Sequence, residues 1–352
     1  MTDEIWIIGA TGRSGQTIAA QLAQRNRQAV LVGRDAGRLE AAAQQTGGQL
    51  LVSPSIVATA EKIRQQRPRV VINTVGPFTA TAPLIIDACH DTGSHYIDLA
   101  NDPDSLAAVF ERQSRAAESE HSVITGAGFG VTATESIVVK LCAGRPAPLH
   151  VRVDMLPSMA TAEGTACEAL VGSLLGSLQG RRISDGRLVP APIGAEAMTL
   201  TLPDGTRATT AGMPLGELLA AHRASGAPSV VSASSAAPSS LPARTAVTAL
   251  STLMRWDWLR SVATRQLGRI HVKAKDAPRQ HSWGHAVATW ADGTTREGWL
   301  RLGEAQEFTG AVPAEIAQRL LTGSGRPGVF TPAALFGADI VTSCGGEHLM
   351  GS

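Results

Sequence analysis

One tyrosine, Tyr96, stands in the whole chain, and only four of its 31 basic residues are lysines. A Tyr-x-x-x-Lys pair is therefore excluded, because four residues after Tyr96 stands Ala100. The four cysteines (Cys89, Cys142, Cys167 and Cys344) lie far apart with no CxxC. They form neither a disulfide framework nor a zinc ribbon, and with no signal-peptide pattern at the start they fit a reducing, cytoplasmic setting. No apolar run approaches the roughly 18 residues that a bilayer demands, so no membrane partner is expected. Basic residues number 31 against 30 acidic ones, with no dense basic stripe. That balance removes the electrostatic footprint of a nucleic-acid binder and leaves a small molecule as the expected partner. Neither a GxSxG elbow nor a P-loop GKS/GKT is present. What the chain has is length and apolar mass: 352 residues, 43% hydrophobic, enough for about two domains and too rich for a disordered chain.

From Glu4 to Gly126 short apolar runs alternate with amphipathic stretches. Six strands can be placed: EIWIIG, QAVLVG, QLLV, RVVINTV, HYIDL and SVITG. Between them SGQTIAAQLAQRN, AGRLEAAAQQ, SIVATAEKIRQQ, TAPLIIDACHDTG and PDSLAAVFERQSRAAE repeat apolar residues every three or four positions, as helices do. Strict β-α alternation requires parallel strands with right-handed crossovers, so the fold class is α/β, a Rossmann-type doubly wound parallel sheet. Ligands of such sheets lie across the carboxyl ends of the strands, which makes the residues just after each run the candidates.

The first of these is GATGRSG, where Gly9, Gly12 and Gly15 sit three apart between a strand and a helix. Gly9 permits the tight turn, Gly12 lets a pyrophosphate approach the main chain, and Gly15 lets the helix pack on the strand. Thr11, Arg13 and Ser14 complete a loop that feeds a helix N-terminus, whose partial positive charge favours phosphate. After the second strand come Arg34 and Asp35. An acidic residue there accepts from the ribose of NAD, whereas arginine pairs with the extra phosphate of NADP. Arg34 follows Gly33 directly and Arg38 lies a helical turn on, so we read NADP. A charge pair at ~4 Å and an effective dielectric of ~20 amounts to about 4 kcal/mol before desolvation. A solvated Arg34, with Asp35 capping the next helix, would leave NAD in play. The fourth strand ends in NTVGPF, where Asn73, Thr74, Val75, Gly76, Pro77 and Phe78 are placed for cofactor contact; a plain strand-to-helix turn would use Gly-Pro equally well.

For the chemistry, Tyr96 and Asp98 are two apart in HYIDL and share one sheet face, so a phenol and a carboxylate stand as candidate proton donor and substrate-orienting group. The alternative is structural: Tyr96 under a helix, Asp98 holding a loop. In GAGFGVTATES, Gly128 and Phe129 are candidate substrate contacts, and a glycine hinge explains them equally well. Metal is not expected: His281 and His285 of HSWGH fall on a strand about 13 Å apart, too far to share one ion.

Taken together, GATGRSG, the GR after the second strand, NTVGPF, DACHDTG and HYIDL resemble the NADP-binding domain of the saccharopine dehydrogenase-like oxidoreductases, including the trans-acting enoyl reductase branch. GRPGVFTPAALFGADIV near the C-terminus is similar to that family's closing segment. The resemblance implies a dinucleotide domain over residues 1–130 completed by 327–352, with an inserted α+β substrate and dimerisation domain over 131–326. It also implies an NADP(H)-dependent oxidoreductase transferring hydride to a conjugated C=C or to C=O/C=N in a small metabolite. A saccharopine-type imine-reducing dehydrogenase and a non-catalytic NADP-binding sensor stay open beside it. Two loops depart from the pattern: Ala100, Asn101 and Asp102 replace the usual Thr-Gly-Glu, and GFGVTATES replaces a GFDSxPxD-type segment.

In the middle of the chain LHVRVDML and AMTLTL read as strands, HSWGHAVATW and TREGWLRL as a hairpin through ADGT, and TACEALVGSLLGSL and TAVTALSTLMRWDWLRSVATRQ as helices. An antiparallel, partly open sheet is expected. Residues 224–244, rich in Ser, Ala and Pro, suit either a lid or a surface loop around one short strand. No lysine or arginine cluster here announces a carboxylate-bearing amino-acid substrate; Arg152, Arg181 and Arg182 are exceptions, but isolated arginines mean little in a chain this rich in them.

Overall fold

A computed structural model describes residues 2–160, 164–165, 179–240, 271–272 and 276–351. The chain divides into two compact units, Met1–Thr132 with Gln306–Cys344, and Ala133–Ala305 with Gly345–Ser352. It therefore crosses between them three times.

The first unit holds a seven-stranded sheet of β1 (Thr2–Ile8), β2 (Ala29–Gly33), β3 (Gln49–Val52), β4 (Pro68–Asn73), β5 (His95–Asp98), β6 (Ser122–Ile124) and β17 (Gly328–Phe330). The order is β17-β6-β5-β4-β1-β2-β3, every pair parallel. All six expected strands are present, and β17 adds a seventh beside β6. The connecting helices are α1 (Arg13–Gln24), α2 (Ala36–Thr46), α3 (Ile56–Gln66), α4 (Phe78–Thr92), α5 (Pro103–Phe110) and α6 (Gln113–Ala117). The fifth helix expected from sequence is thus split in two. One sheet face carries Trp6, Val71 and Tyr96 against Ile63 of α3 and Ile85 of α4, and its burial contributes apolar stabilisation to the unit.

α7 (Phe129–Cys142) leads into the second unit. Its mixed sheet has nine strands among the described residues, in the order β10-β9-β13-β7-β15-β16-β18, with β12 joined to β13 and β11 to β12. They are β7 (His150–Leu156), β9 (Arg181–Ser184), β10 (Arg187–Pro190), β11 (Met198–Thr201), β12 (Arg207–Gly212), β13 (Ser229–Ser234), β15 (Ser282–Thr289), β16 (Thr295–Leu302) and β18 (Glu347–Met350). A two-stranded ribbon pairs β8 (Gly164–Thr165) with β14 (His271–Val272). The β15-β16 hairpin stands where the ADGT turn places it. The sheet is not purely antiparallel: β13 runs parallel to β7, because α8 (Glu217–Ser225) carries the chain across before β13 begins. Residues 229–234 of the lid candidate are thereby a central strand, and 241–244 lie outside the described residues. So do most of the two helices expected at 165–178 and 245–266.

The boundaries expected at 130 and 326 move as well. α9 (Ala305–Leu321) packs on α1, where the bare backbone of Gly310 lies against Thr17, so 306–326 belong to the first unit. α10 (Pro332–Phe336) and a 3-10 turn at Ala338–Cys344 follow, and β18 then pairs with β16 in the second unit. Among the described residues no helix is long and apolar enough to cross a membrane.

A buried ionic network crosses the second sheet. Asp154 accepts from Arg152 (2.8 Å) and Thr210 (2.6 Å) and meets His285 Nδ1 at 2.9 Å. His285 Nε2 lies 3.0 Å from Glu297, and its ring stacks on Trp299 at 4.1 Å. Both His285 nitrogens are thus occupied, and among the described residues no cluster of His, Cys, Asp or Glu could hold a metal.

At the amino ends of β5 and β6, burial pushes His95 and His121 down to about 4, with Arg69 near the first and His90 near the second adding to the shift. Unfolded, both titrate near 6.5. Between those values the unfolded chain takes up protons that the folded chain refuses, so stability falls as pH drops from about 6.5 to 4, up to about tenfold in the folding equilibrium per unit and per group. Denaturant titrations across this window should show that fall, and His121→Leu should flatten it; an unchanged slope in the variant would contradict the assignment.

Candidate functional site

Two loops meet at the carboxyl ends of β1 and β4. Gly9 turns with φ +82°, and a Cβ there would stand 2.6 Å from Thr74 Oγ1. Thr74 donates its hydroxyl to the carbonyl of Ile8 at 2.8 Å, and its amide donates to the same oxygen at 3.0 Å. Gly15 is equally constrained, since a Cβ on it would lie 2.5 Å from the Gly9 carbonyl oxygen and 2.7 Å from Ala10 Cα. Glycine at both positions is therefore a steric requirement, and together they set α1 directly over the end of β1. Gly12 is the N-cap of α1 and is exposed; no side chain caps the helix and its first turn holds no acidic residue. That leaves a helix terminus suited to an anion.

On the second strand's side Arg34 is exposed and, among the described residues, has no hydrogen-bond or ion-pair partner. Asp35 accepts from the Arg38 amide at 3.0 Å and so caps α2, while the Arg38 guanidinium reaches back to the Thr11 carbonyl at 3.0 Å. The acidic residue is thus engaged locally, and two guanidinium groups flank the far side of the glycine loop.

NTVGPF is organised from within. Asn73, fully buried, accepts from the Val75 amide at 3.0 Å and donates to Thr81 at 3.1 Å and to the Tyr96 hydroxyl at 3.2 Å. Thr81 donates in turn to the Val75 carbonyl at 2.6 Å. Asn73 and Thr74, expected to hydrogen-bond a ligand through their side chains, instead spend those groups on the loop and on β1. Gly76 has open space where a Cβ would be, and Val75, Pro77 and Phe78 are partly or fully exposed around it. Close approach to this stretch is thus to its main chain.

Tyr96 and Asp98 do share a face, as their spacing requires, but both side chains are 0% exposed. Burial drives the Tyr96 phenol well above its usual range, with the Asp98 charge adding to it. Burial likewise raises Asp98 to about 6, against the pull of donors from Ala100 (3.0 Å), Thr125 (2.8 Å) and Gly126 (3.1 Å), all to Oδ1. Oδ2 has no hydrogen-bond partner among the described residues, although the Tyr96 phenol lies near enough to steady the charged form. Both groups of the candidate proton-donor and substrate-orienting pair are thus turned inward: neither presents an atom to solvent, and Asp98 ties the end of β5 to the end of β6. Asp102, in the loop that departs from the family pattern, caps α5 through Ser105.

Gly128 is partly exposed, with only the Leu99 carbonyl, at 3.9 Å, near the place of a Cβ. Phe129 is buried edge-to-face on Phe308, 6.2 Å between centroids, so it packs rather than lines. Sequence reasoning missed Gln306, whose Nε2 lies 3.4 Å from both Ser14 Oγ and Thr17 Oγ1. Nothing in its local sequence marks it, because its partners are some 290 residues away.

A glycine-bounded helix terminus, two guanidinium groups and a parallel sheet in this order define a Rossmann-type dinucleotide-binding domain. Residues 5–125 match the family model "Saccharopine dehydrogenase NADP binding domain", which bears out the resemblance carried by the motifs. A trans-acting enoyl reductase of Mycobacterium ulcerans is 30% identical over 190 residues, covering 52% of this chain and 42% of that protein. Its namesake from Mycobacterium tuberculosis H37Rv is 31% identical over 139 residues, 36% of this chain and 32% of that one. The chain thus spans less than half the length of the curated relatives it matches. Among solved structures, the L-Glu-forming saccharopine dehydrogenase of Saccharomyces cerevisiae aligns over 100% of both chains at a TM-score of 0.63 and 12% identity. The homospermidine synthase of Legionella pneumophila, in complex with NAD, aligns over 99% of this chain and 92% of that one at 0.64 and 10%. These two likenesses show the fold.

The tie made by Asp98 can be measured. Asp98→Ala strands three donors in the interior and should lower unfolding free energy by roughly 3 kcal/mol or more, whereas Asp98→Asn keeps the Oδ1 acceptor and should lose much less. Chemical denaturation of both variants checks this, and equal losses would remove the hydrogen-bond account.

Proposed function

We propose that the protein is an NADPH-dependent reductase delivering hydride to a conjugated C=C bond, or to C=O/C=N, of a small metabolite. The observation that carries the choice of dinucleotide is the exposed Arg34 one residue after β2, unpartnered among the described residues and beside an Asp35 already committed to capping. A 2′-phosphate meets a free guanidinium there, and Arg38, held across the loop on Thr11, adds a second.

The residues fit the group. The first turn of α1 would receive the diphosphate, to which Gly12 and Gly76 leave the main chain open, and Thr74 keeps the two loops at a fixed separation. When bound, the nicotinamide supplies the hydride. The chain contributes orientation: Asn73, Thr81 and Tyr96 hold the NTVGPF main chain, and Asp98 holds the Thr125–Gly126 turn leading to Gly128, the position open to substrate. Tyr96 and Asp98 act as positioning residues, and the proton that completes the reduction comes from elsewhere.

Reduction of a conjugated C=C is favoured because the similarity to the enoyl reductase runs for 190 residues, well beyond the 5–125 match to the dinucleotide domain. The carboxylate-rich substrate of a saccharopine-type reaction is less well served. Arg152 is buried on Asp154, and Arg182 pairs with Glu196 at 3.3 Å.

Two measurements test the reading. Arg34→Ala should weaken NADPH by tenfold or more while leaving NADH nearly unchanged, as read by fluorescence titration; parallel losses would remove the phosphate role. Oxidation of NADPH by an α,β-unsaturated thioester or ketone, without any amino donor, should be detectable at 340 nm. No oxidation with conjugated or carbonyl acceptors, despite tight binding, would favour the sensor.

A further inference from the structure

Gln306 stands at the start of α9, on the first unit's return from its long insertion, and faces α1 of the glycine loop. We propose that Gln306 is a positioning residue for the diphosphate: it fixes the Ser14 hydroxyl as a hydrogen-bond donor toward the bound anion. The inference rests on the dinucleotide reading above and adds to it a residue outside the 5–125 domain match.

Hydrogen-bond polarity carries the step. The Thr17 hydroxyl donates its single proton to the Arg13 carbonyl at 3.0 Å, so toward Gln306 it can only accept. The amide end of Gln306 that faces Thr17 is therefore the NH2 end, 3.4 Å away, and the reversed side chain would set two acceptors against each other. The same nitrogen lies 3.4 Å from Ser14 Oγ, so Ser14 accepts there as well. Its own proton must then point elsewhere. Ser14 is the second residue of α1, half-buried, in a first turn that lacks both a capping side chain and an acid. An acceptor-only group such as a phosphate oxygen is the matching partner for that hydroxyl.

The register of α9 is set independently of Gln306. A Cβ on Gly310 would lie 3.0 Å from both Cβ and the carbonyl carbon of Thr17, so the helices approach too closely at that level for any side chain on α9. Gln21 donates to Glu307 at 3.4 Å, and Arg25 lies 4.0 Å from Glu315 further along. With the backbone already held this close, one amide suffices to reach both hydroxyls, and replacing it leaves the helix pair in place.

Calorimetric titration of the full chain with two probes, NADPH and 2′-AMP, tests this. 2′-AMP carries the adenosine and its 2′-phosphate but no diphosphate bridge. Gln306→Leu should weaken NADPH about tenfold, and Gln306→Glu, which brings negative charge beside Ser14, should weaken it further. Both variants should keep the wild-type affinity for 2′-AMP and the wild-type Tm. Unchanged NADPH affinity in Gln306→Leu, or a parallel loss of both probes, would overturn the positioning role. A wild-type protein that binds neither probe would overturn the dinucleotide reading itself, and this inference with it.

Discussion

The hydroxyl of Thr74 bonded to the Ile8 carbonyl is the contact on which the rest of the first unit's chemistry depends. It draws the loop after β4 against the loop after β1 so closely that only hydrogen fits at the Gly9 Cβ position. Gly15 then accepts the carbonyl of that same Gly9, and α1 is aimed at the space between the loops. Backbone geometry, fixed by three small residues, thus shapes the cradle in which the proposed dinucleotide would be contacted mostly through main chain.

The polar residues around this cradle divide into two sets. Asn73, Tyr96, Thr81 and Asp98 are turned inward, with hydrogen bonds that hold strand ends and turns in register. Arg34 and the first turn of α1 face outward. Rigid inner bonding is what lets the outer groups wait in place, since an unmade buried bond would cost more than a surface ion pair returns. The raised pKa of Asp98, with one oxygen unpartnered, is the strain this arrangement tolerates at the junction of β5 and β6.

Much of this was legible in the sequence, and the reasons are local. Strands and helices of the first unit follow from apolar spacing, the glycine roles follow from strand-turn-helix context, and the shared face of Tyr96 and Asp98 follows from alternation. Which way that face looks was not legible, because α4 covers it through packing that no window of sequence contains. The same holds for Gln306, whose partners lie on α1, and for the return of 306–344 to the first unit, which depends on Gly310 meeting Thr17. In the second unit the one short strand expected within the Ser- and Ala-rich stretch is β13, but its place between β7 and β9 was not legible, because small side chains suit an enclosed strand and a surface loop alike.

A crystal structure of the protein grown with NADP is the most direct measurement of the central claim. The account predicts the diphosphate within hydrogen-bonding distance of the first-turn amides of α1, and the 2′-phosphate against Arg34. NADP bound away from the glycine loop, or a loop left empty at saturating concentration, would contradict it.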